Sequence, residues 1–261
     1  MDWRQALSVV GDNAVLVVVV EAMGSRPRDA GAWMLVSPDR VIGTIGGGAM
    51  EFESIAHSRT SAAGTRAFHL GPGIDQCCGG YVEVEFVPVA ELDLGDDWVL
   101  LPSGRRWLAQ PPAPLLRVHG GGHVTRALAP LAAAMPIRVE VVESRDDWRA
   151  GPWPTDVAVS ERPGDSRPDA VLIMTHEHSA DLAWCRHYLT GEPPRWLGVI
   201  GSDSKAVRFK NRLREDGLAS DALHCPVGER LGDKSPPVVA LSLLHAVMTP
   251  LLSFHSTSRI Q

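Results

Sequence analysis

Residues 115–125 read LLRVHGGGHVT, which places a short apolar strand directly before a glycine turn and the start of a helix. Gly120 permits the tight turn, and the glycines after it let backbone amides approach a phosphate. The first turn of the helix adds partial positive charge. Glu143 follows the next apolar run, 137–142, at the spacing of an acid that binds a ribose hydroxyl. This pattern predicts a Rossmann-type unit in which Gly120, Gly122, His123 and Glu143 are candidate ligand contacts.

The same rhythm of strand and helix continues to residue 248. Apolar runs predict further strands over 169–174 and 196–200, and helical patterns cover 179–189, 202–216 and 236–248. Alternating elements of this kind predict a mainly parallel sheet covered by helices. The fold does not establish a bound dinucleotide, so the identity of the ligand stays open at this point.

The N-terminal half has a different pattern. Strands are predicted over 14–21, 33–36, 40–45 and 81–89, and a glycine run, 46–48, precedes a helix. Residues 90–114 are rich in Asp, Gly, Pro and Gln and form the best candidate linker. The predicted fold class is therefore α/β, with an N-terminal α/β domain over 1–110 and a C-terminal Rossmann-like domain with a mainly parallel sheet over 111–261.

The loop 71–80, GPGIDQCCGG, carries two adjacent cysteines, Cys77 and Cys78. Adjacent Cα atoms lie about 3.8 Å apart, closer than an unstrained disulfide favours. Four cysteines in a chain of 261 residues do not form a disulfide framework. Free thiolates suit a soft metal, sulfur transfer or redox chemistry. Two small buried residues that close a tight turn would give the same pattern, and both interpretations stay open.

Three later turns carry further candidates. His176 and His178 follow a predicted strand, at the edge of the sheet where open α/β proteins bind ligands. Their spacing resembles the metal motif of metallo-β-lactamase hydrolases, but Asp181 falls one residue late, so ligand contact or helix capping is favoured. The turn at Gly201 and Ser202 predicts either an anion site or a helix cap. Lys234, before the last helix, is a candidate phosphate contact or a solvated lysine.

Composition excludes several classes of protein. The net charge is −6 and no basic stripe is present, so we expect no nucleic-acid partner. The longest apolar run, 14–20, is too short to span a membrane, and the first residues lack a signal-peptide pattern, which predicts a cytoplasmic protein. A homodimer is expected because two small parts leave apolar faces to cover.

In combination, these stretches resemble the XdhC/CoxI family, the accessory proteins of xanthine dehydrogenase and related molybdenum hydroxylases. Thr125 and Asp203 depart from the family pattern, which commonly has glycine and a basic residue there. The ordered set covers nearly the whole chain, and QCCGG is its most distinctive member. The matching segments are 43–51 (GTIGGGAME), 76–80 (QCCGG), 120–124 (GGGHV), 143–145 (ESR), 175–178 (THEH), 198–202 (GVIGS), 224–228 (HCPVG) and 232–236 (GDKSP).

The resemblance implies a chaperone and maturation factor rather than an enzyme, with a place in purine catabolism. Such a protein binds the molybdenum cofactor (molybdopterin), protects it while a cysteine desulfurase helps to install its terminal sulfur, and passes it to the hydroxylase. Cys77 or Cys78 is then expected near the molybdenum or its sulfur. The implied cofactor contacts are Gly47, Gly48, Glu51, Gln76, Cys77, Cys78, Gly120, Gly122, His123, Glu143, His176, His178, Gly201, Ser202 and Lys234.

Three other functions fit the residues alone. An NAD(P)-dependent oxidoreductase would use the same glycine turn, with His176 as a proton donor. A metal-dependent hydrolase would use His176, His178 and Asp181. A docking protein would keep the Rossmann scaffold without a ligand. The sequence leaves open which hydroxylase is served and whether the cofactor carries a nucleotide.

Overall fold

The computed structural model describes residues 3–61, 63–70, 79–95, 97–109, 113–253 and 259–261. The chain forms two compact units, Met1–Pro112 with Phe254–Gln261 and Ala113–Ser253. The sequence placed the division at 110/111 and assigned every later residue to the second domain. The structure differs at the end of the chain, because Arg106 and Leu108 form backbone hydrogen bonds with Gln261 and Arg259. A short strand pairing therefore returns residues 259–261 to the first unit.

The first unit contains a five-stranded antiparallel sheet in the order β3-β2-β1-β5-β4 and a three-stranded sheet in the order β6-β7-β8. The α/β character predicted for this part is confirmed. Its elements are α1 (Trp3–Val10), β1 (Val15–Met23), β2 (Trp33–Val36), β3 (Val41–Gly43), α2 (Gly48–Ser61), β4 (Gly64–His69), β5 (Tyr81–Pro88), β6 (Asp93–Leu94), β7 (Trp98–Leu100) and β8 (Arg106–Leu108).

Strand β1 contributes to two cores because alternate side chains of a strand point to opposite faces of the sheet. The odd-numbered valines of β1 pack with Phe86 of β5 and Met50 of α2. The even-numbered residues pack on the other face with Trp3 of α1 and Trp107 of β8. The unbroken run of buried aliphatic residues in β1 is therefore the signature of a central strand that is covered on both sides.

The second unit is a six-stranded parallel sheet in the order β11-β10-β9-β12-β13-β14, with helices on both faces. It confirms the predicted Rossmann-like domain. Its elements are β9 (Leu115–His119), α3 (His123–Ala133), β10 (Arg138–Val142), α4 (Asp146–Arg149), β11 (Val157–Ser160), β12 (Ala170–Ile173), α5 (His178–Leu189), β13 (Trp196–Val199), α6 (Asp203–Glu215), β14 (Leu223–His224) and α7 (Pro236–Ser253).

Chain order reverses between the neighbouring strands β9 and β12. Strands β10 and β11 extend the sheet to one side of β9, whereas β12, β13 and β14 extend it to the other. The connections therefore leave in opposite directions at the carboxyl ends of β9 and β12 and open a crevice, which is where sheets of this type bind ligands. Within the described ranges, no helix combines the length and apolar character that a membrane span requires.

Trp107 tests the packing of the first unit. Its ring is fully buried with its centroid 4.7 Å from that of Trp3, and its indole N–H donates to the Gly31 carbonyl at 3.3 Å. Trp107→Ala leaves a cavity and an unpaired carbonyl, so we expect the free energy of unfolding of this unit to fall by about 3–5 kcal/mol. Hydrogen–deuterium exchange of peptides from β1 measures the loss. Trp98→Ala, at a half-buried position of β7, is the control and should have a much smaller effect; equal effects would contradict this packing argument.

Candidate functional site

The crevice of the second unit has a cavity volume of about 350 Å³. Its walls come from the first turn of α3, from the segment after β10 and from the segment after β12. The structure brings together three of the predicted contacts, Gly122, His123 and His176, with Thr175 and Arg145 between them. The chain thus forms a cavity at the switch point of the sheet, as the glycine turn predicted.

The glycine turn is shaped by a close approach of two backbone segments. Gly120 has a φ of 102°, in the left-handed region, and a Cβ there would overlap the Met174 carbonyl. Thr125 is buried, and its Oγ1 donates to the Gly120 carbonyl, so it closes the turn at the position where the family commonly has glycine. Gly122 has no side chain with which to cap α3, and the residues of the first turn of this helix line the crevice.

Glu143, at the end of β10, is fully engaged. Its two carboxylate oxygens accept hydrogen bonds from the Gly121 amide at 2.7 Å and from the Arg145 backbone amide, Nε and Nη2 at 2.7–2.9 Å. Burial raises its pKa, but the hydrogen bonds from Arg145 and Gly121 outweigh burial and lower the pKa to about 2. A ribose diol at Glu143 would compete with Arg145 for these oxygens. Glu143 orients the turn and Arg145 in this structure, and its predicted contact with a ligand stays a prediction.

Arg145 lines the crevice. Glu143 accepts from its Nε and Nη2, and no described residue accepts from its Nη1, so this nitrogen is available to a ligand. Its guanidinium carbon lies 4.8 Å from the ring centroid of Trp148, and Arg126 lies over the Trp148 and Trp153 rings at 5.2 and 5.4 Å. This stack fixes the direction of Arg145. Arg145 and Trp148 were not among the predicted site residues, although Arg145 belongs to the ESR triplet that follows β10.

The wall after β12 is held by a buried ion pair. Asp181 accepts from the Thr175 amide and Oγ1 through one oxygen and from Lys205 Nζ, at 2.5 Å, through the other. Lys205 also donates to the Ile200 carbonyl at 2.8 Å. Asp181 thus has no oxygen to spare for a metal, and no group of three or more potential metal ligands exists among the described residues. The hydrolase alternative loses its carboxylate ligand.

The remaining candidates of the second unit have other roles in the structure. Ser202 caps α6 by accepting from the Lys205 amide at 3.3 Å, and Gly201 leaves space for the Lys205 stem. His178 opens α5 and contacts Arg208 at 3.0 Å. Lys234 is exposed just before α7. None of these four predicted contacts lines the crevice, so their part in ligand binding stays a prediction.

The glycine run of the first unit surrounds the carboxylate of Glu51 and donates hydrogen bonds to it. Glu51 accepts from Thr44 Oγ1 and from the amides of Ile45 and Gly47 at 2.5–3.1 Å. Burial raises the pKa of Glu51, but these hydrogen bonds lower it overall. The predicted cofactor contacts Gly47, Gly48 and Glu51 therefore form a closed loop whose amides are partly satisfied from within.

The glycine run and the end of the cysteine loop both lie against residues 25–28 of the first unit. Gly46 packs against Pro27 and Arg28, and Gly80 lies so close to Ser25 that a Cβ there would overlap the Ser25 carbonyl. Residues 25–28 therefore separate the glycine run from the end of the cysteine loop. Gln76, Cys77 and Cys78 themselves lie outside the described residues.

Glu143 gives a pH-dependent prediction. Its pKa is lowered from an ordinary 4.5 to about 2, so its stabilising contribution is complete above pH 4.5 and is lost as the pH falls towards 2. We expect Glu143→Gln to lower the free energy of unfolding by roughly 2 kcal/mol at pH 7, with the difference from wild type shrinking below pH 4.5. Urea denaturation at pH 7 and pH 3 measures the free energy of unfolding of both proteins. Glu215→Gln, exposed on α6, is the control, and a difference independent of pH would contradict the ion pair.

This chain is similar to proteins of known sequence and of known structure. It is 29% identical over 251 residues to an Escherichia coli K12 protein named "Uncharacterized protein YqeB". That match covers 88% of this chain but 42% of the relative, so the chain spans less than half the length of that protein. A crystal structure described as a xanthine dehydrogenase from Bacillus halodurans superimposes with a TM-score of 0.71 at 18% identity. The superposition covers 99% of this chain and 98% of the other, which shows a common fold.

Two family models match separate parts of the chain. Residues 116–246 match the XdhC Rossmann domain, which is the part that contains the crevice. Residues 10–71 match the XdhC and CoxI family, and this part contains the glycine run around Glu51. The resemblance drawn from the ordered motifs is thereby confirmed, and the chain belongs to the XdhC/CoxI family.

Proposed function

We propose that this protein is an accessory factor for the maturation of xanthine dehydrogenase or a related molybdenum hydroxylase. In this proposal it binds the molybdenum cofactor, protects it while a cysteine desulfurase supplies the terminal sulfur, and passes it to the apo-hydroxylase. Membership of the XdhC/CoxI family supports the accessory role. The observation that carries the binding role is the crevice, where the first turn of α3 and the Arg145 side chain line one cavity.

The donors of the crevice fit the phosphate-bearing tail of such a cofactor. Backbone amides at a helix N-terminus and a guanidinium are the groups that proteins use for phosphate. Glu143 neutralises part of the Arg145 charge, so the affinity depends on the helix amides and Arg145 together. A cavity of about 350 Å³ lies within the size range of small-molecule sites. In the proposal, Gly122, His123, Arg145, Thr175 and His176 hold the tail and the adjoining ring.

The cysteines are proposed to serve the other end of the cofactor. When bound, the cofactor supplies a thiophilic molybdenum centre, and thiolates are suitable ligands or sulfur carriers for it. Cys77 and Cys78 remain the candidates for this contact. They are the adjacent pair in the family's most distinctive motif, whereas Cys185 and Cys225 are buried thiols whose pKa values are raised by burial. A raised pKa keeps those two thiols protonated and poorly nucleophilic.

The crevice supports holding a ligand better than it supports turnover. Glu143 is bound by Arg145 and the Gly121 amide, and Asp181 is bound by Lys205 and Thr175. Neither carboxylate is free to act as a general base. This arrangement favours an accessory protein over an enzyme that needs a carboxylate base at the same turn. Association with the hydroxylase and a desulfurase, and a homodimeric state, belong to the same proposal.

Cofactor retention tests the binding role. Wild-type protein loaded anaerobically with molybdenum cofactor should retain it through gel filtration, measured as protein-bound molybdenum and oxidised-pterin fluorescence. Arg145→Met removes a charge-assisted hydrogen bond and should weaken retention roughly tenfold, whereas Arg212→Met, exposed on α6, should not. Cys77→Ala and Cys78→Ala identify the thiol that contributes. If both cysteine variants retain as much cofactor as wild type, the thiols do not contribute to binding. If wild type retains no cofactor, the proposal is rejected.

Titration with NADH distinguishes the oxidoreductase alternative from the proposed accessory protein. Because Arg145 occupies both oxygens of Glu143, the adenosine ribose lacks its usual carboxylate partner. We expect no saturable change in NADH fluorescence at micromolar protein. Stoichiometric binding of NADH that is lost in Glu143→Gln would favour the oxidoreductase instead.

Capture of a hydroxylase tests the docking alternative. If cofactor-free protein and Arg145→Met capture the hydroxylase as well as cofactor-loaded wild type does, the docking function without a ligand is favoured.

A further inference from the structure

The walls of the crevice carry two histidines and an arginine but, among the described residues, no carboxylate. The histidines come from different walls, since His123 opens α3 and His176 lies between β12 and α5. Both side chains are exposed, so protons exchange with them freely. The charge that a ligand meets in this cavity therefore depends on the protonation of two imidazoles.

His123 is placed against the wall that follows β10. Its ring lies edge to face with that of Trp148, with 4.9 Å between the centroids. Arg126 of the same helix lies over the Trp148 ring at 5.2 Å. Glu143 is bound by Arg145, and Asp146 by Arg149, so neither carboxylate is free to pair with a histidinium. The charged groups of the facing segment are Glu143, Arg145, Asp146, Asp147 and Arg149.

His176 is placed by the hydrogen bonds of its two neighbours. The Thr175 amide donates to Asp181 at 2.9 Å, and the Glu177 amide donates to Thr175 Oγ1 at 3.3 Å, so the backbone is held on both sides. Asp181 itself is paired with Lys205 of α6. Glu177 Oε1 lies 3.5 Å from His176 Nε2, but the Glu177 side chain is exposed and its charge is screened by solvent. On the outer side of this wall, Arg208 of α6 contacts His178.

Protonation changes what the two imidazoles offer to a ligand. A neutral imidazole has one N–H donor, whereas an imidazolium has two and carries a positive charge. Histidine side chains ordinarily take up this proton within the range of about pH 5–8. The amides at the start of α3 and the Arg145 guanidinium already favour an anion. Each added charge in the same cavity strengthens anion binding, and by linkage a bound anion favours protonation of the imidazoles.

We propose that His123 and His176 make the crevice a pH-dependent site for dianionic oxyanions, with tighter binding at about pH 6 than at about pH 8. The inference rests on the proposed function, since the same crevice is proposed to hold the phosphate-bearing tail of the cofactor. It adds a mode of release, because a rise in pH removes positive charge from two walls of the cavity and weakens its hold on the tail.

Sulfate is the probe, because it keeps two negative charges over this pH range, whereas a phosphate ester takes up a proton near pH ~6. Its apparent affinity is measured from the saturable rise in Tm, at an ionic strength matched with chloride. We expect wild type to bind sulfate roughly tenfold more tightly at pH 6 than at pH 8, and the double variant His123→Gln/His176→Gln less than about threefold more tightly. His245→Gln, an exposed position of α7, is the control and should match wild type. Arg145→Met should weaken binding at both pH values, which assigns the response to the crevice.

Proton uptake separates this role from a structural one. Calorimetric titration with sulfate at pH 7, in buffers of different ionisation enthalpy, measures the protons taken up on binding. Wild type should take up protons, and the double variant should take up none, although both remain folded because the two side chains are exposed.

The proposal is overturned if wild type binds no sulfate or binds it equally at both pH values. It is also overturned if the pH dependence persists in the double variant or is lost equally in His245→Gln. Its failure is distinct from failure of the proposed function. Wild type that retains the molybdenum cofactor but binds sulfate independently of pH keeps the accessory role without this inference. Wild type that binds sulfate with the expected pH dependence but retains no cofactor keeps the oxyanion site and loses the proposed function.

Discussion

The carboxylate of Glu143 ties three parts of the second unit to one point, and the crevice depends on it. It accepts from the Gly121 amide, so the end of β10 sets the path of the glycine turn. It also takes two nitrogens of Arg145, so the remaining nitrogen can point in one direction only. Because Arg145 in turn lies on Trp148, the first turn of α3, the segment after β10 and the floor of the cavity form a single hydrogen-bonded and stacked assembly.

Much of the fold follows from local pattern. The valine run of β1 and the apolar runs before Gly120 and after Pro136 predicted strands that the structure contains, because buried strands of a sheet are continuous apolar segments. Five strands were missed. Strands β11 and β14 are at the edges of the parallel sheet and have two to four residues, so their patterns are too brief to separate from loop. Strands β6, β7 and β8 have two or three residues each and lie within 90–114, which the composition wrongly indicated to be a linker. The return of residues 259–261 to β8 depends on backbone hydrogen bonds, which leave no mark in side-chain pattern.

The candidate site was predictable in its place and less so in its chemistry. The glycine turn and His176 were found because they follow strands at the carboxyl edge of the sheet, and position at that edge is visible in sequence. The hydrogen bonds between Glu143 and Arg145 could not be predicted, since the acid has the spacing of a ribose ligand and only the folded backbone brings the Arg145 side chain to its oxygens. The partner of Asp181 was not visible for a related reason: Lys205 lies 24 residues away and on another helix.

The buried pair of Asp181 and Lys205 has a consequence for divergence within the family. Losing either partner leaves an unpaired charge in the interior, which costs roughly 3–5 kcal/mol, whereas replacing both with apolar residues of similar volume is often neutral. Gly201 shares the constraint, because it leaves space for the Lys205 stem. We therefore expect positions 181, 201 and 205 to change together in relatives. A relative that lacks the lysine at 205 no longer requires glycine at 201. The residues that hold the wall of the crevice after β12 should therefore be conserved or replaced as a group.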